Sequence, residues 1–398
     1  MAGDHSRQGI STRAVHAGEP PVEAGGPVVN PIFQSATFHS YPEGEGPVLY
    51  QRYGNAPNHV ALEARLAALE GGEDAVVLAS GMAAMACALL SLVEAGDHVV
   101  ATHALYGGTK LLLDQEFPRL GIAADYVDFS RPEWVEAIRP NTKVVLGETP
   151  SNPLLRVLDL EPICREAHAR GAAVVVDSTF ASPVNLRPLE HGVDLVMHSG
   201  TKYLGGHSDL TAGVLVGSRE RMARVRDRAK VWGPLLDPHA VWLLERGVKT
   251  LAVRMEAHNR NGVAVARWAE AQPGMARVHY PGLASHPDHE VARRVLDGFG
   301  GMLSVELAGG GEAAARFVAA LRLAKVAPSL GGVETLVSEP RYTSHARMTP
   351  AERAAAGLGD GFVRISLGIE DAEDIIADLD QALRAAGDDG RRTDAAAD

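Results

Sequence analysis

The chain has 398 residues, a length suited to two or three packed units at ~100–200 residues each. With 46% hydrophobic and 22% charged residues, 42 Gly and 23 Pro, it excludes wholesale disorder and fibrous repeats. A formal charge of −12 repels phosphate backbones and argues against nucleic-acid binding as the main role.

Residues 1–10 are polar and lack the apolar stretch of a signal peptide. Residues 1–55 carry Pro, Gly and aromatics (Phe33, Phe38, Tyr41, Tyr50, Tyr53) with little periodicity, which predicts an extended arm that needs a surface, such as a neighbouring subunit, to lie on. A helix is expected from Asn58, ended by Gly71-Gly72. Residues 75–93 hold no charge and just reach membrane-spanning length. Ser80-Gly81 interrupts them, however, and the composition changes from β-branched to Ala/Leu/Met, which predicts a buried strand turning into a helix. Short apolar runs at 75–79, 97–101, 124–127, 143–146, 173–176, 193–197 and 212–216, with helical stretches such as 160–170 between several of them, predict a mostly parallel α/β sheet. After Leu251 a long helix over 253–271 is expected to lead into an α+β region with strands near 301–307 and 362–366 and a last helix over 371–385. The tail from Gly387 is small, polar and charged and predicts no fixed structure. Cys87 and Cys164 sit far apart in apolar stretches, which argues against a disulfide scaffold and for a reducing, cytoplasmic setting.

Polar residues cluster just after the buried strands, where open parallel sheets bind ligands. Ser80-Gly81-Met82 follows a strand and opens a helix, so free N–H groups and the helix dipole there can hold a phosphate; small residues at such a turn also occur for structural reasons. Asp177 ends a buried strand and must have a partner, whether a ligand, a helix cap or a salt bridge. The run HSGTKYLGGHSD places Lys202 beyond a strand with hydroxyls at Ser199 and Thr201; a desolvated lysine there can form a Schiff base, while a lone lysine in a loop is commonly solvent-facing. Together, a phosphate cradle, an acid for a ring nitrogen and a reactive lysine are the parts that hold pyridoxal 5'-phosphate. Arg364 interrupts an apolar strand and needs a carboxylate, either that of an amino-acid substrate or that of an internal acid. His286 and His289 have metal-ligand spacing, but no further ligand set accompanies them.

The motifs LYQRYGNAPN, LASGMAA, LYGGT, ETPSNP, VDSTFASP, HSGTKYLGGHSD, SLGGVETL and DGFVRISLGIED resemble those of the transsulfuration (Cys/Met metabolism) family of pyridoxal-phosphate enzymes, over residues 12–383. The resemblance implies a fold-type-I architecture: a mostly parallel seven-stranded sheet with helices on both faces, a smaller C-terminal α+β domain and an extended N-terminal arm. It sets the expected boundaries at 1–56 for the arm, 57–252 for the cofactor domain, 253–386 for the C-terminal domain and 387–398 for the tail. It also implies a homotetramer, a dimer of dimers with shared active sites, and no membrane or nucleic-acid partner. By the same resemblance Lys202 is the Schiff-base lysine and proton carrier, and Asp177 is the partner of the pyridine nitrogen. Gly81, Met82, Thr179, Ser199 and Thr201 belong to the cofactor site, with Tyr50 and Arg52 reaching the phosphate from the neighbouring subunit. Tyr106 stacks on the cofactor ring and acts as acid/base, while Asn152, Ser329 and Arg364 place the substrate, supported by Glu148.

The implied activity is C–S lysis of cystathionine or a related sulfur amino acid by γ- or β-elimination. The alternatives are γ-replacement on an activated homoserine and, more distantly, transamination. Three positions depart from the family pattern: Ser178 replaces the usual Asn, Pro328 stands where many γ-lyases and synthases carry Glu, and Gly108 stands where methionine γ-lyases have Cys.

Overall fold

The computed structural model describes residues 8–19, 23–44, 46–343, 346, 349, 353 and 357–387. Two compact units emerge. The first comprises the described residues up to Pro150, Leu158–Val253 and Val295–Gly298; the second comprises Ser151–Val157, Arg254–Arg294 and the described residues from Phe299 onward.

The first unit is built on seven strands: β1 (Asp74–Leu78), β2 (His98–Thr102), β3 (Ala123–Val127), β4 (Thr142–Glu148), β5 (Ala173–Asp177), β6 (Leu195–Ser199) and β7 (Gly213–Gly217). Their spatial order is β1-β7-β6-β5-β4-β2-β3; β7 runs antiparallel to both neighbours and the other pairs are parallel. Val76, Leu78, Val99, Ala101, Val175 and Leu215 of one sheet face join a core with Met85 and Leu89 of the helix Gly81–Leu90 and Val225 of the helix Arg219–Trp232. Alternate strand residues such as Val77, Val100, Val145, Val174, Val196 and Val216 are also fully buried, so both faces are covered, as the apolar runs predict. The predicted first helix is Pro57–Glu70, closed by Gly71 in the left-handed conformation at φ 72°. Residues 75–93 are indeed a strand followed by a helix, and among the described residues no helix is long and apolar enough to cross a membrane.

The second unit holds a five-stranded sheet: β8 (Met275–His279), β9 (Met302–Leu307), β10 (Lys325–Val326), β11 (Leu336–Ser338) and β12 (Phe362–Ser366), in the order β10-β11-β12-β9-β8. All pairs are antiparallel except β10 with β11. The helices Leu251–Glu270, Gly310–Ala320 and Ala372–Gly387 supply Val265, Phe317 and Leu379 to its core.

Two features differ from the sequence reading. The arm is not extended throughout: a helix at Ile10–His16 buries Ala14, and Arg13 Nη1 donates to the Ala68 carbonyl at 2.7 Å, tying that helix to the next. Strands β8, β10 and β11 escaped notice because β8 is a bulged edge strand with charged Arg277 inside it, and the other two are only two and three residues long. The predicted tail lies outside the described residues from 388 on; Gly387 itself closes the last helix.

Candidate active site

Ser80 caps the helix Gly81–Leu90 by accepting the Ala83 N–H at 3.1 Å, a contact typically worth ~1 kcal/mol. The turn is tightly packed. A Cβ on Gly213 would stand 2.0 Å from the Ser80 carbonyl oxygen, and one on Gly81 would meet Ser199 Cβ at 3.0 Å and Oγ at 3.1 Å. The sequence-predicted Gly81 and Ser199 are thus brought face to face, and the space between them is kept by the absence of a side chain.

Parallel pairing sets Glu148, Asp177 and Met197 side by side at the ends of β4, β5 and β6. Asp177 is buried; its Oδ1 takes both the Thr179 N–H (3.0 Å) and the Thr179 hydroxyl (2.5 Å), and among the described residues none donates to Oδ2. Burial raises the Asp177 pKa, opposed by the two Thr179 hydrogen bonds and the nearby His198. Thr179 Oγ1 also accepts the Ser199 N–H at 2.8 Å, and the Lys202 N–H donates to the Ser199 carbonyl at 3.1 Å. Asp177, Thr179, Ser199 and Lys202 are therefore joined by a short chain of hydrogen bonds across two strand ends. Thr201 is fixed by its hydroxyl, which accepts the Ala212 N–H at 3.0 Å.

Tyr106 opens the short helix Gly107–Leu111 and is 46% exposed, so its ring is available. Its N–H donates to Glu148 Oε2 at 2.6 Å, which makes Glu148 the residue that orients Tyr106 from its backbone. Met82 lies close by: a Cβ on Gly108 would fall 2.6 Å from Tyr106 Cε1 and 2.9 Å from Met82 Sδ. In the arm, the exposed Arg52 guanidinium lies over the rings of Tyr50 (5.5 Å) and Tyr53 (5.2 Å) and donates to the Lys230 carbonyl.

In the second unit, buried Arg364 on β12 donates through Nη1 to Asn152 Oδ1 at 3.2 Å and through Nη2 to the Ser329 carbonyl at 2.8 Å. Ser329 adopts φ 90°, a costly conformation for a residue with a Cβ, and its carbonyl meets Arg364 from there. The Asn152–Pro153 peptide is cis. Asn152 and Ser329, the other two predicted substrate residues of this unit, thus converge on the Arg364 guanidinium.

The sequence reading passed over one pair behind the site. His198 Nε2 and Glu70 Oε1 lie 2.5 Å apart, both buried, directly before Ser199. His198 stood inside the motif already singled out, but nothing local marks Glu70, 128 residues away, as its partner. The spaced histidines face main-chain carbonyls instead: His286 Nε2 that of Leu154 (3.4 Å) and His289 Nδ1 that of Pro281 (2.8 Å). Both cysteines are buried and free, and burial pushes the Cys87 thiol up to about 11.

The residues fit pyridoxal phosphate. Asp177 offers Oδ2 to a protonated ring nitrogen, and the Gly81–Ser199 cradle at a helix N-terminus suits a phosphate. Fold and strand-end chemistry together define an enzyme of the pyridoxal-phosphate class.

The family model described as Cys/Met metabolism PLP-dependent enzyme matches residues 11–384, and the chain belongs to that family. It is 43% identical to an O-succinylhomoserine sulfhydrylase of Pseudomonas aeruginosa, over 85% of this chain and 84% of that one. It is 42% identical to an L-methionine gamma-lyase of Pseudomonas putida, over 97% of this chain and 100% of that one. Among solved structures, the cystathionine gamma-lyase from Lactobacillus plantarum complexed with L-serine superposes with a TM-score of 0.91 at 35% identity, covering 96% of this chain and 100% of that one.

Proposed function

We infer that this enzyme is a C–S lyase of sulfur amino acid metabolism that cleaves cystathionine or a related substrate by γ-elimination, releasing a 2-oxo acid, ammonia and a thiol. The observation that carries this reading is the hydrogen-bonded chain from Asp177 through Thr179 and Ser199 to the Lys202 backbone, which sets a carboxylate, a polar cradle and the lysine's main chain at adjacent strand ends.

Bound pyridoxal 5'-phosphate supplies the electron sink for the pair left on the substrate's α-carbon. Lys202 anchors the cofactor, and its freed amine takes the α-proton and carries protons between carbons. Asp177 would hold the cofactor's protonated ring nitrogen. Ser199, Thr201 and the N–H groups at Gly81 and Met82 bind the phosphate. Tyr106, aimed by Glu148, covers the ring and delivers a proton to the departing sulfur. Arg364 takes the substrate carboxylate, oriented by Asn152 and Ser329. Tyr50 and Arg52 serve a neighbouring copy's phosphate in a homotetramer built from dimers. Such an assembly also gives a surface to exposed Val28, Val48 and Trp232. A reducing cytoplasm suits its two free thiols.

A second reading, γ-replacement on an activated homoserine, uses the same residues, and relatives of similar identity carry both kinds of name. Incubation with L-cystathionine decides between them. 2-Oxobutyrate establishes γ-elimination despite Pro328 and pyruvate establishes β-elimination. If neither forms and an O-acylhomoserine turns over only with added thiol, the enzyme is a replacement enzyme.

A further inference from the structure

Beside edge strand β8 the second unit contains a cavity of about 540 Å³, whose walls include Leu154, Glu270, Met275, Arg277, Val278 and His286. That volume falls within the ~300–1,000 Å³ typical of small-molecule sites. None of these residues has a part in the cofactor or substrate chemistry above.

One cation and one anion on the cavity wall have no charged partner among the described residues. Arg277 is exposed, and its guanidinium makes no hydrogen bond or ion pair among the described residues. Glu270 accepts the Ser285 hydroxyl and, among the described residues, pairs with no cation. The two do not pair with each other, so the cavity presents one cation and one anion at distinct points. The other ionisable groups on its walls are already satisfied. Arg156 is held by Asp288 at 2.6 and 3.0 Å, and His279 faces Glu306 at 2.8 Å. His286 accepts the Asp288 N–H at 3.2 Å, and burial lowers its pKa. Leu154, Met275, Val278 and Pro287 supply the apolar lining.

We propose that this cavity binds a free zwitterionic amino acid with an apolar side chain, its carboxylate on Arg277 and its ammonium on Glu270. A purely anionic ligand would meet Glu270, and a purely cationic one Arg277; a ligand carrying both charges meets neither penalty. The site is also placed to matter. Leu154 and Arg156 on its wall belong to the segment Ser151–Val157, which presents Asn152 to Arg364.

Calorimetric titration of the holoenzyme with L-norleucine, an apolar amino acid with no leaving group, tests this. Two equivalents per chain are expected for the wild type. Arg277→Ala and Glu270→Ala, both at the surface of the fold, are expected to weaken one equivalent at least tenfold while turnover persists. One equivalent in the wild type, or two undiminished equivalents in Arg277→Ala, overturns the proposal. Arg364→Ala removes the other equivalent; if both persist there, the role given to Arg364 fails, and the cavity is judged on Arg277→Ala alone.

Discussion

Arg364→Lys keeps the charge and removes the fork. The guanidinium uses two separate nitrogens, Nη1 toward Asn152 at 3.2 Å and Nη2 toward Ser329 at 2.8 Å, and a single ammonium on a shorter reach cannot serve both and a substrate carboxylate as well. Losing one hydrogen bond to a charged group while the charge stays costs about 1.5–3 kcal/mol. At about 1.4 kcal/mol per decade, kcat/KM for L-cystathionine should therefore fall by roughly 10- to 150-fold. Most of the loss should appear in KM, because Arg364 holds the carboxylate in ground and transition states alike. The assay compares 2-oxo acid release by both proteins, with far-UV circular dichroism to confirm that β12 remains folded. A second arm uses the substrate's carboxamide. The wild type should discriminate strongly against it and the variant only weakly, since the two changes remove the same contact. Unchanged kcat/KM in Arg364→Lys, or undiminished discrimination against the amide, would refute the assignment.

Lys202→Ala should abolish turnover with melting behaviour close to wild type, since the side chain is only half-buried and its backbone contacts remain; substantial residual activity removes Lys202 from its role. Gly108→Ala places a Cβ 2.6 Å from Tyr106 Cε1, so the ring must move, and kcat should drop by ~100-fold with the fold intact; an unaltered kcat means the ring position is not critical. Burial lowers the His258 pKa from 6.5 to about 4, with Nδ1 near the Leu367 carbonyl at 2.9 Å. Between these values the unfolded chain binds a proton that the folded chain refuses, so the contribution is full above pH 6.5 and is lost as pH falls toward 4, by up to about 3 kcal/mol. Urea midpoints of wild type and His258→Gln measured at pH 7 and pH 4.5 should converge at the lower pH; parallel declines would contradict this.

Features that depend on neighbours along the chain were legible before the fold was known. Every strand of the large sheet was visible as a short run; apart from the half-exposed edge strand β3, the runs are apolar because strands buried on both faces cannot alternate with polar residues. The helix ending at Gly71 was legible from its periodicity and its glycine, and Asp177, Lys202 and Arg364 stood out as charges beside or within buried strands. The short edge strands were not legible, since a bulge and two- or three-residue lengths leave no period to read. Tertiary structure decided which polar groups meet. Thr179 bridges Asp177 to Ser199 because β5 and β6 run parallel in one register. Glu148 reaches the backbone of Tyr106 across 42 residues, Glu70 backs His198 across 128, and Asn152 meets Arg364 across 212. Local sequence fixes each side chain's chemistry. Only the packing of distant segments decides its partner, because burial turns an indifferent polar residue into one that must be paired.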